Sequence, residues 1–270
     1  MCPKYEFDVN KAKDALILWL REYFNNNGNP INAVVGCSGG KDSTVVLAAL
    51  TQAIGPERIY AVLMPNGEQT DIADSYAVCK HLGLTPHVCN IKEGYDGIYN
   101  AVASEFEMTE QARINLAPVL RMATLKAVSQ CVNGRFTCNA NKTETYLGWY
   151  TLDGDDRGAI KPLAGLTASQ VVAVGKALGL PHWMVEKTPA DGLCGASDEE
   201  KFGFTYAVAD RYIETGEIED LEAKEKIDAM HQKNRFKQLP MPIFQPLGVF
   251  SRQLPPTVHA TKEMPLQRFI

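Results

Sequence analysis

Hydroxyl, carboxylate and glycine residues are concentrated in one short stretch of the chain, S-G-G-K-D-S at residues 38–43. An apolar run at residues 33–37 precedes it and predicts a buried strand, while the residues after Asp42 predict a helix. Unpaired backbone N–H groups at a helix start bind phosphate, and adjacent glycines let the backbone approach the ligand closely. Ser38 and Ser43 can donate to phosphate oxygens, whereas Asp42 suits an Mg²⁺ ion that bridges it to the phosphates. The stretch therefore predicts a binding site for the phosphates of a nucleotide.

Two common nucleotide-binding patterns do not fit this stretch. It has neither the G-x-x-x-x-G-K-[ST] spacing of a Walker loop nor the G-x-G-x-x-G spacing of a dinucleotide site. A plain glycine turn between a strand and a helix would explain Gly39 and Gly40, but not a carboxylate next to hydroxyls. We therefore expect a phosphate loop of another class.

The stretch resembles the S-G-G-x-D-S loop of the N-type ATP pyrophosphatases, which cleave ATP to AMP and pyrophosphate and activate a substrate oxygen as an adenylate. The rest of the chain is similar to the ammonia-dependent NAD synthetase family over nearly its whole length. That resemblance implies ATP-dependent amidation of deamido-NAD with ammonia, through an adenylated nicotinate carboxylate. The segments that carry it are P-N-G-E-Q at 65–69, N-L-A-P-V-L-R-M at 115–122, P-L-A-G-L-T at 162–167, D-G-L-C at 191–194 and S-D-E-E-K-F-G-F-T-Y at 197–206.

The resemblance also implies roles for individual residues. It makes Asp42 and Glu144 the catalytic carboxylates that hold Mg²⁺, which would neutralise charge on the phosphates. The residues implied to contact ATP are Gly36, Cys37, Ser38, Gly39, Gly40, Lys41, Asp42, Ser43, Met64, Gln69 and Asn139. Those implied to contact the acceptor substrate are Asn115, Arg121, Asn141, Lys161 and Lys237.

Six positions depart from the family's pattern, and three of them are on the acceptor side. Val119 stands where an arginine usually faces deamido-NAD, Leu152 replaces a lysine, and Ala159 replaces an aspartate. Losing an arginine that pairs with a buried anion costs about 2–5 kcal/mol. The other departures are Asn139 for a threonine, Ala168 for a lysine and Phe236 for a histidine.

These departures leave the acceptor open. Either the nearby cations Lys142, Arg157 and Lys161 compensate for the losses, or the acceptor is not deamido-NAD. Two further interpretations follow: a related enzyme that adenylates a different acceptor, and a nucleotide-binding regulator that kept the ATP loop without turnover.

The elements that must position these residues alternate along the chain. Strands and helices in alternation predict an α/β fold, a doubly wound and mostly parallel sheet with helices on both faces. The resemblance implies the Rossmann-like, adenine nucleotide alpha hydrolase type of this fold. Such sheets bind ligands beyond the carboxyl ends of their strands, where residues 38–43 lie. The predicted strands are 33–37, 58–64, 87–91 and 135–139. The predicted helices are 8–25, 42–53, 72–82, 110–132, 167–178, 198–215 and 219–234, with loops at 151–161 and 181–197.

Composition limits the class of protein. The 270 residues carry a net charge of −5 and are 45% apolar, which is typical of a globular protein and argues against nucleic acid as a partner. No apolar run approaches the length of a membrane span, and the seven cysteines include no C-x-x-C pair. We therefore expect a cytoplasmic protein without membrane contact. The resemblance implies one NAD synthetase-like domain over 1–270, no glutaminase domain, and a homodimer that uses ATP, ammonia and deamido-NAD or a related carboxylate.

Overall fold

The computed structural model describes residues 6–26, 31–69, 71–186 and 197–244. Within these ranges four strands form one sheet, in the order β3-β2-β1-β4. The strands are β1 (Asn32–Gly36), β2 (Ile59–Leu63), β3 (Pro86–Val88) and β4 (Gly134–Phe136). All three neighbouring pairs are parallel. The strand order reverses beside β1, so a crevice opens at the carboxyl end of β1, where open α/β sheets bind ligands.

Helices cover both faces of the sheet, as the sequence predicts. Ala33 and Val35 of β1 join the cluster formed by α1, α2 and α7, whereas Val34 packs with Leu125 of α5 on the opposite face. The helices are α1 (Val9–Asn26), α2 (Lys41–Ile54), α3 (Ile72–Leu82), α4 (Lys92–Ala103), α5 (Glu110–Cys131), α6 (Lys142–Leu147), α7 (Ala168–Ala177), α8 (His182–Val185), α9 (Asp198–Phe202), α10 (Tyr206–Thr215) and α11 (Leu221–Asn234).

Some predicted bounds were wrong. The single helix expected over 198–215 is two helices, because Gly203 ends α9 with a left-handed backbone (φ 72°) and Thr205 caps α10 by accepting from Val208 N. The strands expected at 87–91 and 135–139 begin one residue earlier and end at Val88 and Phe136. Helices α4, α6 and α8 were not predicted, and α8 lies within the segment 181–197 that was expected to be a loop.

A second, smaller apolar cluster lies between α6, α9, α10 and α11. Leu147, Phe202, Tyr206 and Ile227 are buried in it, and Phe202 packs edge-on against Tyr206. This cluster fixes α6 and the N-terminal ends of α9 and α10, which supply acidic and aromatic side chains to the site described below.

Residues 1–238 form one compact unit and residues 239–270 a second. The described part of the second unit, residues 239–244, contains no helix or strand. A single NAD synthetase-like domain over 1–270 stays a prediction, and the D-G-L-C segment at 191–194 lies outside the described residues. No helix in the described ranges has the length and apolar character needed to cross a membrane.

Candidate active site

The turn between β1 and α2 passes very close to α3. Gly39 has a φ of 74°, and a Cβ at this position would lie 2.8 Å from Asp74 Cβ and 2.9 Å from Ser75 N. Only glycine fits, because another residue would meet both the strained backbone and this contact. Gly40 precedes α2 without any side chain capping the helix. The first-turn N–H groups of α2 are therefore left for an anionic ligand.

Three hydroxyl groups surround the first turn of α2. The Oγ atoms of Ser38 and Ser43 lie 3.1 Å apart, and Gly40 N donates to Ser38 Oγ at 3.2 Å. Ser43 Oγ and Thr44 Oγ1 donate to Gly40 O at 3.1 and 2.8 Å. These contacts hold the turn in one conformation, which lowers the entropic cost of binding a ligand.

The fold brings Asp42 and Glu144 to one asparagine. Asn141 Nδ2 donates to Asp42 Oδ1 at 3.1 Å across a separation of 99 residues. Asn141 N also donates to Glu144 Oε2, and Glu144 N returns a bond to Asn141 Oδ1, each at 3.0 Å. This reciprocal pair is a capping box that starts α6. The N-x-x-E spacing is the sequence signal that would have revealed α6.

Lys41 is buried beside the two carboxylates. Its Nζ donates to Asp42 Oδ2 at 2.6 Å and lies 5.6 Å from the centre of the Tyr206 ring. Burial alone would lower the pKa of Lys41, but Asp42, Glu144 and Asp198 outweigh it and the pKa is raised. Burial and then Asp42 raise the pKa of Glu144 to about 8. The site therefore favours the charged form of Lys41 and disfavours the ionised form of Glu144.

These residues fit an Mg²⁺ ion held together with phosphates. Mg²⁺ in nucleotide sites usually takes one or two carboxylates and completes its shell with phosphate oxygens and water. Asp42 and Glu144 supply two carboxylates next to the phosphate turn. Among the described residues, no group of three His, Cys, Asp or Glu is placed to hold a metal by itself. The protein would therefore depend on the nucleotide for the remaining ligands.

Most other residues predicted to contact ATP meet at the carboxyl end of β1. Asn139 Nδ2 donates to Gly36 O at 3.4 Å, and a Cβ on Gly36 would lie 3.1 Å from Met64 Cε. Gln69 instead donates to Asp71 Oδ1 ahead of α3. Cys37 is buried with its thiol facing α3, where Cys79 and burial raise the pKa of that thiol. Cys37 can therefore contact a ligand only through its backbone.

Among the residues predicted to contact the acceptor substrate, Asn141 lies between Asp42 and Glu144, and three of the other four contact other segments. Arg121 Nε donates to Met64 O at 3.2 Å, next to the nucleotide side. Lys237 Nζ donates to Gly148 O and Tyr150 O, each at 2.8 Å. Asn115 Oδ1 accepts from Thr151 Oγ1 at 3.0 Å, and Lys161 is exposed. Arg121 and Lys237 bond to backbone carbonyls in these contacts, so their charge remains available to an anion.

The three acceptor-side positions that depart from the family's pattern, Val119, Leu152 and Ala159, are exposed. Val119 and Leu152 are each 37% exposed. Lys142 pairs with Glu214 at 2.7 Å, and Arg157 pairs with Asp153. Lys142 and Arg157, two of the three cations that could replace the lost charged contacts to the acceptor, therefore already have carboxylate partners.

A cavity of about 470 Å³ lies between the second half of α5, β4 and the turn at 157–159. Its lining includes Lys126, Arg135, Arg157 and Ala159. Arg135 Nη1 donates to the carbonyl of Gly134, and Lys126 forms no ion pair with any residue in the described ranges. No sequence motif contains Lys126 or Arg135, and only the fold brings them together.

Comparison with known proteins identifies the family. The family model described as NAD synthase matches residues 12–241. The chain is 33% identical over 236 residues to the NH(3)-dependent NAD(+) synthetase of Carboxydothermus hydrogenoformans, covering 84% of this chain and 96% of that protein.

Two solved structures resemble the fold closely. The NMN synthetase of Francisella tularensis superposes with a TM-score of 0.80 at 28% identity, covering 88% of this chain and 100% of that one. The NH3-dependent NAD synthetase of Campylobacter jejuni gives a TM-score of 0.73 at 23% identity, covering 89% and 100%. Together with the matched segment 12–241, these similarities show that the chain belongs to the NAD synthase family, whose members are ligases that form a carbon–nitrogen bond.

Proposed function

We propose that this chain converts deamido-NAD to NAD with ATP and ammonia, through an adenylated nicotinate carboxylate, and releases AMP and pyrophosphate. Family membership supports the reaction. The observation that carries it is the meeting of Asp42 and Glu144 at Asn141, beside the first turn of α2. A phosphate site with two adjacent carboxylates is what nucleotidyl transfer requires.

In this proposal the chain contributes binding, orientation and charge. The N–H groups of α2 and the hydroxyls of Ser38 and Ser43 hold the phosphates of ATP in place. Asp42 and Glu144 would hold Mg²⁺, which supplies charge neutralisation on the phosphates when bound. The nicotinate carboxylate oxygen attacks the α-phosphorus and pyrophosphate leaves. Ammonia then attacks the carbonyl carbon, and AMP departs with the original carboxylate oxygen.

The proposal extends to assembly and location. We expect a homodimer, because α1 exposes Leu18 and Trp19 (47% and 43%) and α4 exposes Ile98 and Val102 (43% and 38%). Apolar patches of this kind are typical of protein interfaces. A cytoplasmic location agrees with five free cysteines among the described residues, since thiols stay reduced there.

A second candidate differs only in the acceptor, which would be nicotinate mononucleotide. The likeness to an NMN synthetase favours it, because forming NMN by amidation requires the corresponding carboxylate. The exposed Val119 and Leu152 also replace charged residues that contact deamido-NAD in the resembling family.

One assay compares the candidates. The chain is incubated with ATP, Mg²⁺, ammonium chloride and either acceptor, and NAD, NMN and AMP are quantified. NAD formation with the higher kcat/KM for deamido-NAD supports the first candidate, and the reverse order supports the second. No AMP with either acceptor would leave the nucleotide-binding regulator as the interpretation.

A further inference from the structure

In the S-G-G-K-D-S stretch at residues 38–43, Lys41 is the one residue whose type is not required for binding phosphate or Mg²⁺. Its side chain is nevertheless only 7% exposed, and its ammonium lies 2.6 Å from Asp42 Oδ2. Asn141 binds the other oxygen of the same carboxylate. Both oxygens of Asp42 are therefore engaged, one by Asn141 and the other by Lys41.

The surroundings of Lys41 hold its ammonium at the carboxylates. The Tyr206 ring lies 5.6 Å from Nζ, a distance at which an aromatic face attracts a cation. Tyr206 is itself fixed, because its hydroxyl donates to Asp198 Oδ2 at 3.0 Å. A buried ammonium is costly unless an opposite charge pairs with it. Asp42 makes the close contact, and Glu144 and Asp198 add longer-range attraction.

We propose that Lys41 is the resident counter-ion of the Asp42–Glu144 pair, and that it opposes metal binding until a nucleotide arrives. The ammonium occupies one oxygen that a metal would need and places a positive charge beside the second carboxylate. When Mg²⁺ and ATP enter together, the phosphates offer the ammonium a new partner and the carboxylates become available. Metal and nucleotide then bind as one unit.

This inference rests on the proposed function, because it assumes that ATP and a divalent cation share this site. It adds a thermodynamic consequence. If nucleotide increases the affinity for metal, metal must increase the affinity for nucleotide by the same factor. Lys41 sets the size of that coupling, because it weakens the binding of metal alone and not that of the metal–nucleotide pair.

The test measures Mn²⁺ binding by electron paramagnetic resonance, without any acceptor. Lys41→Met keeps the volume of the stem and removes the charge, while Lys41→Arg keeps the charge. We expect Lys41→Met to bind Mn²⁺ at least tenfold more tightly than wild type in the absence of nucleotide, and Lys41→Arg to bind as weakly as wild type. With a non-hydrolysable ATP analogue present, the advantage of Lys41→Met should fall below about threefold.

Two further measurements make the outcome specific. Adding Asp42→Asn to Lys41→Met should abolish the tight Mn²⁺ binding, which assigns the ion to this pair. Lys41→Gln provides a second neutral variant in case Lys41→Met does not fold, as judged by thermal unfolding. Neutral variants that bind free Mn²⁺ no more tightly than wild type would overturn the inference. Failure to form NAD would instead overturn the proposed function, so the two failures are distinguishable.

Discussion

At the scale of single residues, Asp42 is the side chain on which the proposed chemistry depends most. Its two oxygens contact Asn141 and Lys41, and it lies in the first turn of α2. Asp42→Asn keeps the size of the side chain and removes the charge that a divalent cation needs. We expect kcat/KM to fall by at least about a thousandfold, which corresponds to roughly 4 kcal/mol of transition-state stabilisation.

Steady-state release of pyrophosphate checks this loss. Asp14→Asn is the matched control, because Asp14 is an exposed carboxylate on α1 and its only described ion pair is with the neighbouring Lys13. A rate for Asp42→Asn close to that of the control would show that the metal assignment is wrong.

Glu144 combines a functional role with a cost in stability. Burial and the Asp42 carboxylate raise the pKa of Glu144 from its ordinary 4.5 to about 8. A raised carboxyl pKa means that the folded state disfavours the ionised form. The wild type therefore loses stability as the pH rises from 4.5 to about 8.

Glu144→Gln should reverse this loss and abolish turnover. Glutamine cannot ionise and can still accept from Asn141 N in the capping box. We expect the variant without metal to be more stable than wild type by about 4–5 kcal/mol at pH 8.5, with no difference at pH 4. Urea unfolding in the presence of a chelator measures both. An equal or lower stability of the variant at pH 8.5 would contradict this account of Glu144.

The residues of the phosphate loop could be predicted from sequence because their roles are local. A strand, two glycines and a helix start are enough to place Ser38 and Ser43 at an anion site. The contact of Asn141 with Asp42, the burial of Lys41 and the cavity cations Lys126 and Arg135 could not be predicted. Each of these depends on segments that are distant in sequence.

At the scale of secondary structure, α6 connects the site to the fold. Asn141 caps α6 and also donates to Asp42, so one side chain fixes both the helix start and the carboxylate. Thr143 and Asp210 then hydrogen-bond to each other, and Asp210 Oδ2 accepts from Ser169 N at the start of α7. The position of Glu144 therefore depends on three helices.

Two substitutions at Asn141 separate its roles. Asn141→Ala removes both the cap and the contact with Asp42, and it should lower the free energy of unfolding by about 1 kcal/mol. Asn141→Ser keeps a hydroxyl that can cap α6 but is too short to reach Asp42, and it should change stability by less than about 0.5 kcal/mol.

Both variants should lose turnover to a similar extent, because the contact with Asp42 is missing in each. Chemical denaturation and pyrophosphate release provide the two measurements. Retention of wild-type turnover by Asn141→Ser would show that the contact between Asn141 and Asp42 does not matter for the reaction.

The elements of the sheet were predictable to within a few residues, whereas several helices were not. Strands β1 and β2 are short apolar runs with clear boundaries. Helix α4 contains Gly94 and Gly97, which lower its helix propensity. Its signal was the spacing of Tyr95, Ile98, Tyr99 and Val102, which is that of an amphipathic helix. Helix α6 is only six residues long, and its capping box is the one local signal.

At the scale of the whole molecule, the exposed face of α4 predicts self-association. Ile98 and Val102 lie one turn apart and are exposed. Ile98→Glu costs little where the side chain faces water, but it is costly inside an interface. We expect wild type to sediment as a dimer at micromolar concentration and Ile98→Glu as a monomer.

Leu221→Glu is the matched control, since Leu221 is 70% exposed and begins α11. It should leave the dimer intact in sedimentation velocity experiments. A monomeric wild type, or an Ile98→Glu variant that remains dimeric, would rule out this face as the interface.

The central claim is that the chain adenylates a carboxylate, and isotope transfer tests it most directly. Deamido-NAD with both carboxylate oxygens labelled as ¹⁸O is incubated with the chain, ATP, Mg²⁺ and ammonia. The nicotinate mononucleotide acceptor is treated in the same way. Mass spectrometry then measures ¹⁸O in AMP, in pyrophosphate and in the amide product. One ¹⁸O atom in each AMP and one in each amide is the predicted result. Unlabelled AMP, or label in pyrophosphate, would contradict it.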